Sequence, residues 1–277
     1  MNIKKNLATS VLAGTIFLSG VANAAPAVPV ERETVNQIAL LQSLTLGYFD
    51  GSITVGELKN LGNIGIGTFD GLDGEMILLD GVMYRADSDL KINVVDDKVT
   101  VPFSNVTFFE KDFSVKLKNI SDKNLLEDIL NKLIKKRGEN TFYFVKIPAV
   151  LNEILVRSES KQQKPYPTLV QALQATQKEK TFQNISGTIV GLYCPDYMSG
   201  LNTAGWHFHF ISGDKTVGGH VLELNIKLAT AEFDKTDNFN LKIPKKKSFQ
   251  NLNLAQDLSS DIHKAEKDTG LGDKGGK

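Results

Sequence analysis

The sequence predicts an α+β fold in which helices concentrate in the first two-thirds of the chain and antiparallel strands follow. Three observations predict it: a helical stripe of apolar residues at 124–136, an Asp80-Gly81 turn between two apolar runs, and β-type patterns from residue 186 onward. The chain has 277 residues, 41% of them hydrophobic, which is enough for one large domain or two modest ones. A change of pattern divides residues 25–165, an N-terminal α/β lobe, from residues 166–277, a β-rich C-terminal lobe with a tail.

The N-terminus predicts an export signal. A short basic stretch precedes the apolar residues 7–21, and an Ala-Asn-Ala triplet ending at Ala24 supplies a cleavage pattern of small residues. The alternative is a membrane anchor, but the apolar stretch is shorter than the ~20 residues that a spanning helix needs. We therefore expect residues 1–24 to be a signal peptide, and the mature protein to be periplasmic or secreted with no membrane span.

The first elements of the chain are short. Residues 35–48 have apolar spacing typical of a helix, and Thr54 with Glu57 forms a capping-box pattern at the start of a second helix. Residues 76–84 predict a hairpin, because Asp-Gly between two apolar runs is a strong turn signal. Two further strands are expected at residues 99–102 and 106–109.

The later elements begin with the clearest helix, at residues 124–136. Ser121 or Asp122 can cap it, and Gly138 follows its basic end. Another helix is expected at residues 167–177, which begin with a proline. The expected strands lie at residues 142–147, 153–157, 186–193, 206–212 and 220–228.

Charge and cysteine content exclude several classes of protein. Lysine plus arginine and aspartate plus glutamate both total 32, so the net charge of zero gives no reason to expect a nucleic-acid partner. Cys194 is the only cysteine, which excludes an internal disulfide and a cysteine-rich zinc site. It is expected to be a buried small residue.

Three of the four histidines are close in the sequence and predict a metal site. In a strand, His207 and His209 point to the same face. If the following turn is centred between Asp214 and Lys215, His209 lies directly across from His220, on that same face. Three imidazoles on one patch leave other positions on the ion open, as a catalytic zinc site requires.

This inference depends on the register, because a slip of one residue turns His220 away. The ligand set also suits copper, nickel, iron and manganese. The alternative is that each histidine is an ordinary hydrogen-bonded strand residue, as a lone strand histidine more often is. His263, which lies in a polar segment, is expected to be a surface residue.

Four blocks of the sequence resemble the acetolactate decarboxylase family, in the family's order, over roughly residues 40–266. They are GTFDGLDGEMILLDG at 67–81, VPFSNVTFF at 101–109, RSESKQQKPY at 157–166, and the histidine region at 187–222. The resemblance implies decarboxylation of (S)-2-acetolactate to (R)-acetoin and CO2, with a zinc ion held by His207, His209 and His220. It also implies a two-lobed fold with β-sheets in both lobes, the metal site on a C-terminal antiparallel sheet, and a homodimer.

The resemblance also implies roles for three other residues. Arg157 would bind the substrate carboxylate, Glu75 would deliver a proton, and Glu266 would be a metal ligand or an outer-shell carboxylate. Without the resemblance, Arg157 would be a strand-surface residue paired with Glu159, Glu75 a surface carboxylate beside a hairpin, and Glu266 a solvated tail residue. Thr68 is a further polar candidate for the pocket.

The expected mechanism uses the metal ion as a Lewis acid that stabilises an enediolate, so no organic cofactor is needed. Two other functions remain open. One is an exported zinc hydrolase, which would turn over an ester or amide without releasing CO2. The other is a non-catalytic module that binds a metal or a carbohydrate, with a closed coordination sphere.

Overall fold

Two large β-sheets dominate the structure, a computed structural model that describes residues 31–267. The expected signal peptide, residues 1–24, lies outside the described residues. The strands are β1 (Thr34–Ile38), β2 (Ile53–Thr54), β3 (Ile64–Thr68), β4 (Glu75–Leu79), β5 (Val82–Ala86), β6 (Ile92–Val94), β7 (Thr100–Val101), β8 (Phe103–Thr107), β9 (Phe113–Ile120), β10 (Phe142–Ser158), β11 (Lys178–Cys194), β12 (Gly205–Ser212), β13 (Gly218–Thr236) and β14 (Asn238–Lys242). The α-helices are α1 (Leu41–Thr45), α2 (Val55–Lys59), α3 (Lys123–Lys135), α4 (Leu169–Thr176), α5 (Lys247–Gln250) and α6 (Ser259–Lys267).

The first sheet has the order β14-β1-β8-β3-β4-β5-β6. Its pairs are antiparallel except for β1 with β14, which are parallel. The second sheet has the order β10-β11-β12-β13-β9, and all of its pairs are antiparallel. Because β10 also pairs with β13, the strands β10 to β13 close into a ring. The expected mixed α+β fold with more than one sheet is confirmed.

The second sheet takes strands from both sides of residue 165, since β10 precedes that residue and β11 to β13 follow it. The division into lobes at residues 25–165 and 166–277 remains a prediction. Among the described residues, no helix has the length and apolar character needed to cross a membrane.

The two sheets pack against each other through apolar side chains. Ile64, Ile66 and Ile77 of the first sheet share one core cluster with Val190 and Ile211 of the second. The other face of the second sheet is covered by α3, whose buried stripe packs against the aromatic side of β12; the residues involved are Leu126, Leu130, Ile134, Trp206, Phe208 and Phe210. Alternation along β12 therefore sends the aromatic residues toward α3, and the residues between them toward the first sheet.

Local signals in the sequence predicted several elements correctly. Asp80 and Gly81 join β4 to β5 with positive φ angles of 50° and 80°, which the Asp-Gly pair adopts readily. Thr54 and Glu57 form the expected capping box of α2, and Asp122 caps α3 by accepting a hydrogen bond from the N–H of Leu125. Cys194 is free and buried, as expected.

One expectation about secondary structure was wrong, and another was incomplete. Residues 35–48 do not form one helix: they begin as β1, all of which is buried between β14 and β8, and only the short α1 follows. Ala39 does not continue the strand, because its φ is 58°. The strands expected at 142–147 and 153–157 are both present, but they are parts of one strand, β10, which continues between them with register shifts near Leu151.

Candidate active site

The hairpin of β12 and β13 brings three imidazole rings together on the face directed toward the first sheet. His209 pairs with His220 in antiparallel register, so the register predicted from the turn is confirmed. The Nε2 atom of His207 lies 3.1 Å from Nε2 of His209 and 3.0 Å from Nδ1 of His220. Because the turn between β12 and β13 is short, the local sequence of this hairpin is enough to bring the three rings together.

Main-chain carbonyl groups orient two of the three rings. Nδ1 of His209 lies 2.9 Å from the carbonyl oxygen of Met76, and Nε2 of His220 lies 3.1 Å from that of Glu266. Since a carbonyl oxygen only accepts, each of these nitrogens carries the hydrogen and donates it. The other nitrogen of each ring therefore presents a lone pair toward His207. Histidines that bind a metal usually do the same: one ring nitrogen donates to a protein acceptor, and the other binds the ion.

The three histidines fit a divalent metal ion. Their candidate ligand atoms all lie within 4.8 Å of one another. Tetrahedral coordination with bonds of about 2.0 Å places ligand nitrogens about 3.3 Å apart, close to the two separations measured from His207. Burial lowers the pKa values of His209 and His220 well below the usual range, which keeps both rings in the neutral form that binds metals.

Arg157 is the centre of a buried cluster beside the histidines. It is 4% exposed, near the end of β10, and stands opposite His220 in register. Its Nη1 donates to Oε1 of Glu75 at 2.6 Å and to Oε2 of Glu159 at 3.2 Å, and its Nη2 donates to the carbonyl oxygen of Ala265 at 3.0 Å. The pairing with Glu159 exists, but this arginine is not on the surface.

Glu75 is the first residue of β4 and joins the arginine to the histidines. It is buried, and its Oε2 lies 3.3 Å from Nε2 of His209. Burial raises the pKa of Glu75 well above its usual range, and the nearby Glu159 raises it further, although Arg157 acts in the opposite direction. A carboxyl group with a raised pKa can remain protonated at neutral pH, as a proton donor must.

Glu266 reaches the site from α6. It is buried, and its Oε2 lies 3.4 Å from Nε2 of His207. The structure therefore brings this residue beside the histidines, while its role as a ligand or as an outer-shell carboxylate remains a prediction. His263, on the same helix, is exposed, as expected.

All of these groups line one cavity of about 30 Å3. One wall is polar and holds the histidines, Arg157 and the three glutamates. Apolar side chains line the rest of the cavity, namely those of Leu44, Leu72, Phe103, Leu169 and Leu173. Thr68 also lines the cavity, and its hydroxyl donates to the carbonyl oxygen of Gly74 at 2.8 Å. A cavity this small suits a small molecule with a polar part and an alkyl part.

Two residues of the site were not predicted from the sequence. Glu159 was expected only as a surface partner of Arg157, but it is 1% exposed and lines the cavity. The alternation of a strand, which puts Arg157 and Glu159 on one face, was the available signal. Lys123 is a buried residue at the start of α3 and lines a smaller cavity beside His207 and His220. No sequence signal marks that lysine.

The fold and the site together define a two-sheet α+β enzyme whose small active-site cavity lies beside a cluster of histidines. The family model described as "Alpha-acetolactate decarboxylase" matches residues 35–256. The chain therefore belongs to the alpha-acetolactate decarboxylase family, which makes it a carboxy-lyase acting on a small-molecule substrate.

Individual relatives agree with the family match. The chain is 39% identical over 235 residues to an alpha-acetolactate decarboxylase of Methanosarcina mazei, covering 85% of this chain and 81% of that protein. It is 34% identical over 284 residues to one of Brevibacillus brevis, covering 95% of this chain and 99% of that protein. The crystal structure of alpha-acetolactate decarboxylase from Bacillus subtilis strain 168 superimposes with a TM-score of 0.82 at 33% identity, covering 85% of this chain and all of that one.

Proposed function

We propose that the protein catalyses the zinc-dependent decarboxylation of (S)-2-acetolactate to (R)-acetoin and CO2. The observation that carries the proposal is the convergence of three histidine nitrogens beside a buried arginine and a buried glutamate whose pKa is raised. The names of the relatives support the substrate, and the imidazole ligand set supports zinc.

The metal ion would be held by His207, His209 and His220. When bound, it supplies a Lewis acid for the negative charge that develops on the substrate's oxygens. The reaction breaks the C–C bond to the carboxylate, releases CO2 and leaves an electron pair that the adjacent keto group takes up as an enediolate. One proton must then be added to carbon, so the remaining tasks are to hold the carboxylate and to deliver that proton.

Arg157 is the group we assign to the carboxylate. Its guanidinium stays charged at any relevant pH and its N–H groups form a fork that matches a carboxylate. Among the residues that the structure describes, none accepts a hydrogen bond from its buried Nε–H group. A substrate carboxylate that accepts from Nε would satisfy this donor and would fix the direction of the bond that breaks.

Glu75 is the group we assign to proton delivery. The raised pKa of its carboxyl supports a protonated resting form, and its position 3.3 Å from His209 places it beside the candidate metal site. Protonation of the planar enediolate from one face would set the handedness of the product. Solvent then restores the proton on Glu75, which balances the single proton that the reaction consumes.

The test is the formation of acetoin and CO2 from acetolactate by the purified protein, before chelation, after chelation and after zinc is restored. We expect activity to disappear on chelation and to return with zinc. Activity that survives complete metal removal would exclude the metal role. A zinc hydrolase would instead turn over an ester without releasing CO2, and a non-catalytic binding module would leave acetolactate unchanged.

We also propose that the protein is exported after cleavage following Ala24 and acts as a homodimer. The support for export is the pattern of basic, apolar and small residues before Ala24, and the support for a dimer is the family resemblance. N-terminal sequencing of the mature protein should begin at Ala25, and light scattering should give twice the mass of one mature chain. A retained N-terminus or a monomeric mass would contradict the respective proposal.

A further inference from the structure

Glu159 is a buried carboxylate of the cavity to which the proposed reaction assigns no role. It directly follows β10, is 1% exposed, and lies on the same strand face as Arg157. Burying a carboxylate is costly unless it is paired, and the charged partner here is Arg157, whose Nη1 lies 3.2 Å from Oε2. The carboxyl group of Glu75 is a further hydrogen-bond partner. The contact with Arg157 is therefore specific, and it faces the cavity rather than solvent.

The hydrogen bonds of Arg157 show what this contact does. A guanidinium has five N–H groups in a fixed plane. The two on Nη1 are directed to Glu75 and Glu159, and Nη2 donates to the main chain at Ala265. The Nε–H group is buried and has no acceptor among the described residues. Nη1 is thus occupied by two carboxyl groups, while the N–H group on Nε is left for a ligand.

We propose that Glu159 is a positioning residue that holds Arg157 in the orientation needed to bind the substrate carboxylate. By accepting from Nη1 beside Glu75, it prevents the guanidinium from turning toward Glu75 alone. This inference rests on the proposed function, because it concerns the binding of the substrate's carboxylate.

Removal of the charge at Glu159 has a selective consequence. Without that charge, the 2.6 Å hydrogen bond to Glu75 dominates at Nη1 and turns the guanidinium toward Glu75. A ligand that carries a carboxylate then binds less tightly, because Arg157 is turned away from it. A neutral ligand without a carboxylate does not need Arg157, so its affinity should not change.

The experiment measures the binding of two ligands to the zinc-loaded protein by isothermal titration calorimetry. One is 2,3-dihydroxy-2-methylbutanoate, which keeps the substrate's carboxylate but cannot be decarboxylated through a keto group. The other is acetoin, which has no carboxylate. In Glu159→Gln, which preserves the size of the side chain, we expect the Kd of the carboxylate ligand to rise about tenfold and that of acetoin to change less than about twofold.

If Glu159 is merely structural, Glu159→Gln should weaken the binding of both ligands equally. If it has no role, neither Kd should change. Either result would overturn the proposal. The ratio of the two Kd values refers only to folded protein, so partial unfolding does not obscure it. Glu159→Asp retains the charge and should restore part of the ratio. Glu232→Gln is the matched control, because it removes a carboxylate that pairs with Lys146 and Lys111 on the same sheet.

The measurement also separates this proposal from the proposed function. Neither ligand is turned over, so the ratio is obtained whether or not the protein decarboxylates acetolactate. If the wild type releases no CO2, but Glu159→Gln weakens the carboxylate ligand and not acetoin, the reaction assignment fails and the positioning role stands. If the wild type releases CO2, but Glu159→Gln does not change the ratio of the two Kd values, only the positioning role fails.

Discussion

Among the described residues, carboxylates are buried in two regions, at opposite ends of the paired strands β10 and β13. In one region Arg157 stands opposite His220, and in the other Asp234 stands opposite Phe144. The first is the active-site cavity, where carboxylates surround a guanidinium. The second has no such cation against Asp234: its Oδ2 accepts from the N–H of Glu110 at 3.3 Å, and its Oδ1 has no hydrogen-bond partner among the described residues.

Burial raises the pKa of the carboxyl in both regions, to about 7 for Asp234, where the acidic residues Glu33, Asp112 and Glu110 raise it as well. A raised pKa is therefore no sign of catalysis by itself. The regions differ in what surrounds the carboxyl. Glu75 is within reach of an arginine, a histidine cluster and a cavity, whereas the residues named around Asp234 are acidic. Convergence of different groups on one space distinguishes the functional region.

The largest effect is expected from loss of a histidine in the cavity. His209→Ala should lower bound zinc and the rate of acetoin formation by more than about 100-fold, the upper range for loss of a mere outer-shell partner. Metal analysis and an acetoin assay measure the two effects. His263→Ala, which changes an exposed histidine of α6, is the control and should retain both. Full zinc occupancy in His209→Ala would show that this ring is not a ligand.

The second effect is on stability and compares a paired with an unpaired buried carboxylate. Arg157→Ala removes the cation between Glu75 and Glu159 and should lower the free energy of unfolding by about 3–5 kcal/mol, as measured by urea denaturation. Arg85→Ala, which breaks a partly exposed pair with Asp73, should cost no more than about 1 kcal/mol. Addition of Glu159→Gln to Arg157→Ala should recover part of the loss. If Arg157→Ala and Arg85→Ala lower the free energy of unfolding equally, the buried cluster does not differ from a partly exposed ion pair in stability.

The third effect is a pH dependence that belongs to Asp234. An unfolded aspartate ionises near pH 3.8, but folded Asp234 keeps its proton until about pH 7. The native state therefore binds the additional proton between these values, and the free energy of unfolding falls as pH rises through this window, by at most about 4 kcal/mol. Asp234→Asn should match the wild type near pH 4 and exceed its stability at pH 8, in urea denaturation at several pH values. The exposed Asp128→Asn should show no such gain.

The smallest effect is expected where no buried charge is involved. Thr168 caps α4, whose Leu169 and Leu173 form part of the cavity's apolar wall. Thr168→Ala should lower the free energy of unfolding by about 1 kcal/mol, equally at pH 5 and pH 8, because a hydroxyl cap carries no titratable group. A loss that changes with pH would mean that the cap is coupled to one of the carboxylate regions.

The parts of the molecule that the sequence predicts well are those determined over a few residues. The turn after β12 sets the register of His209 and His220, and Asp80-Gly81 sets the hairpin of β4 and β5. By contrast, residues 35–38 form a strand because neighbours distant in sequence bury them, although their apolar spacing is also compatible with a helix.

The cluster around Arg157 could not be derived from local pattern. Glu75 and Arg157 are 82 positions apart in the sequence, and both are found together only because the two sheets pack face to face. Their assignment came from the family resemblance, which pointed to these residues without showing their contact. Glu159 was missed for a related reason: alternation along β10 places it on the face of Arg157 but does not show that this face is buried.

The carbonyl oxygens of Met76 and Glu266, which fix the hydrogens on His209 and His220, belong to the peptide backbone. An exchange of the side chain at either position leaves the acceptor in place, so an amino-acid substitution there does not delete it. Two of the three histidines are thus oriented by acceptors that do not depend on the identity of the neighbouring side chain. The side chains at positions 76 and 266 remain available for other roles.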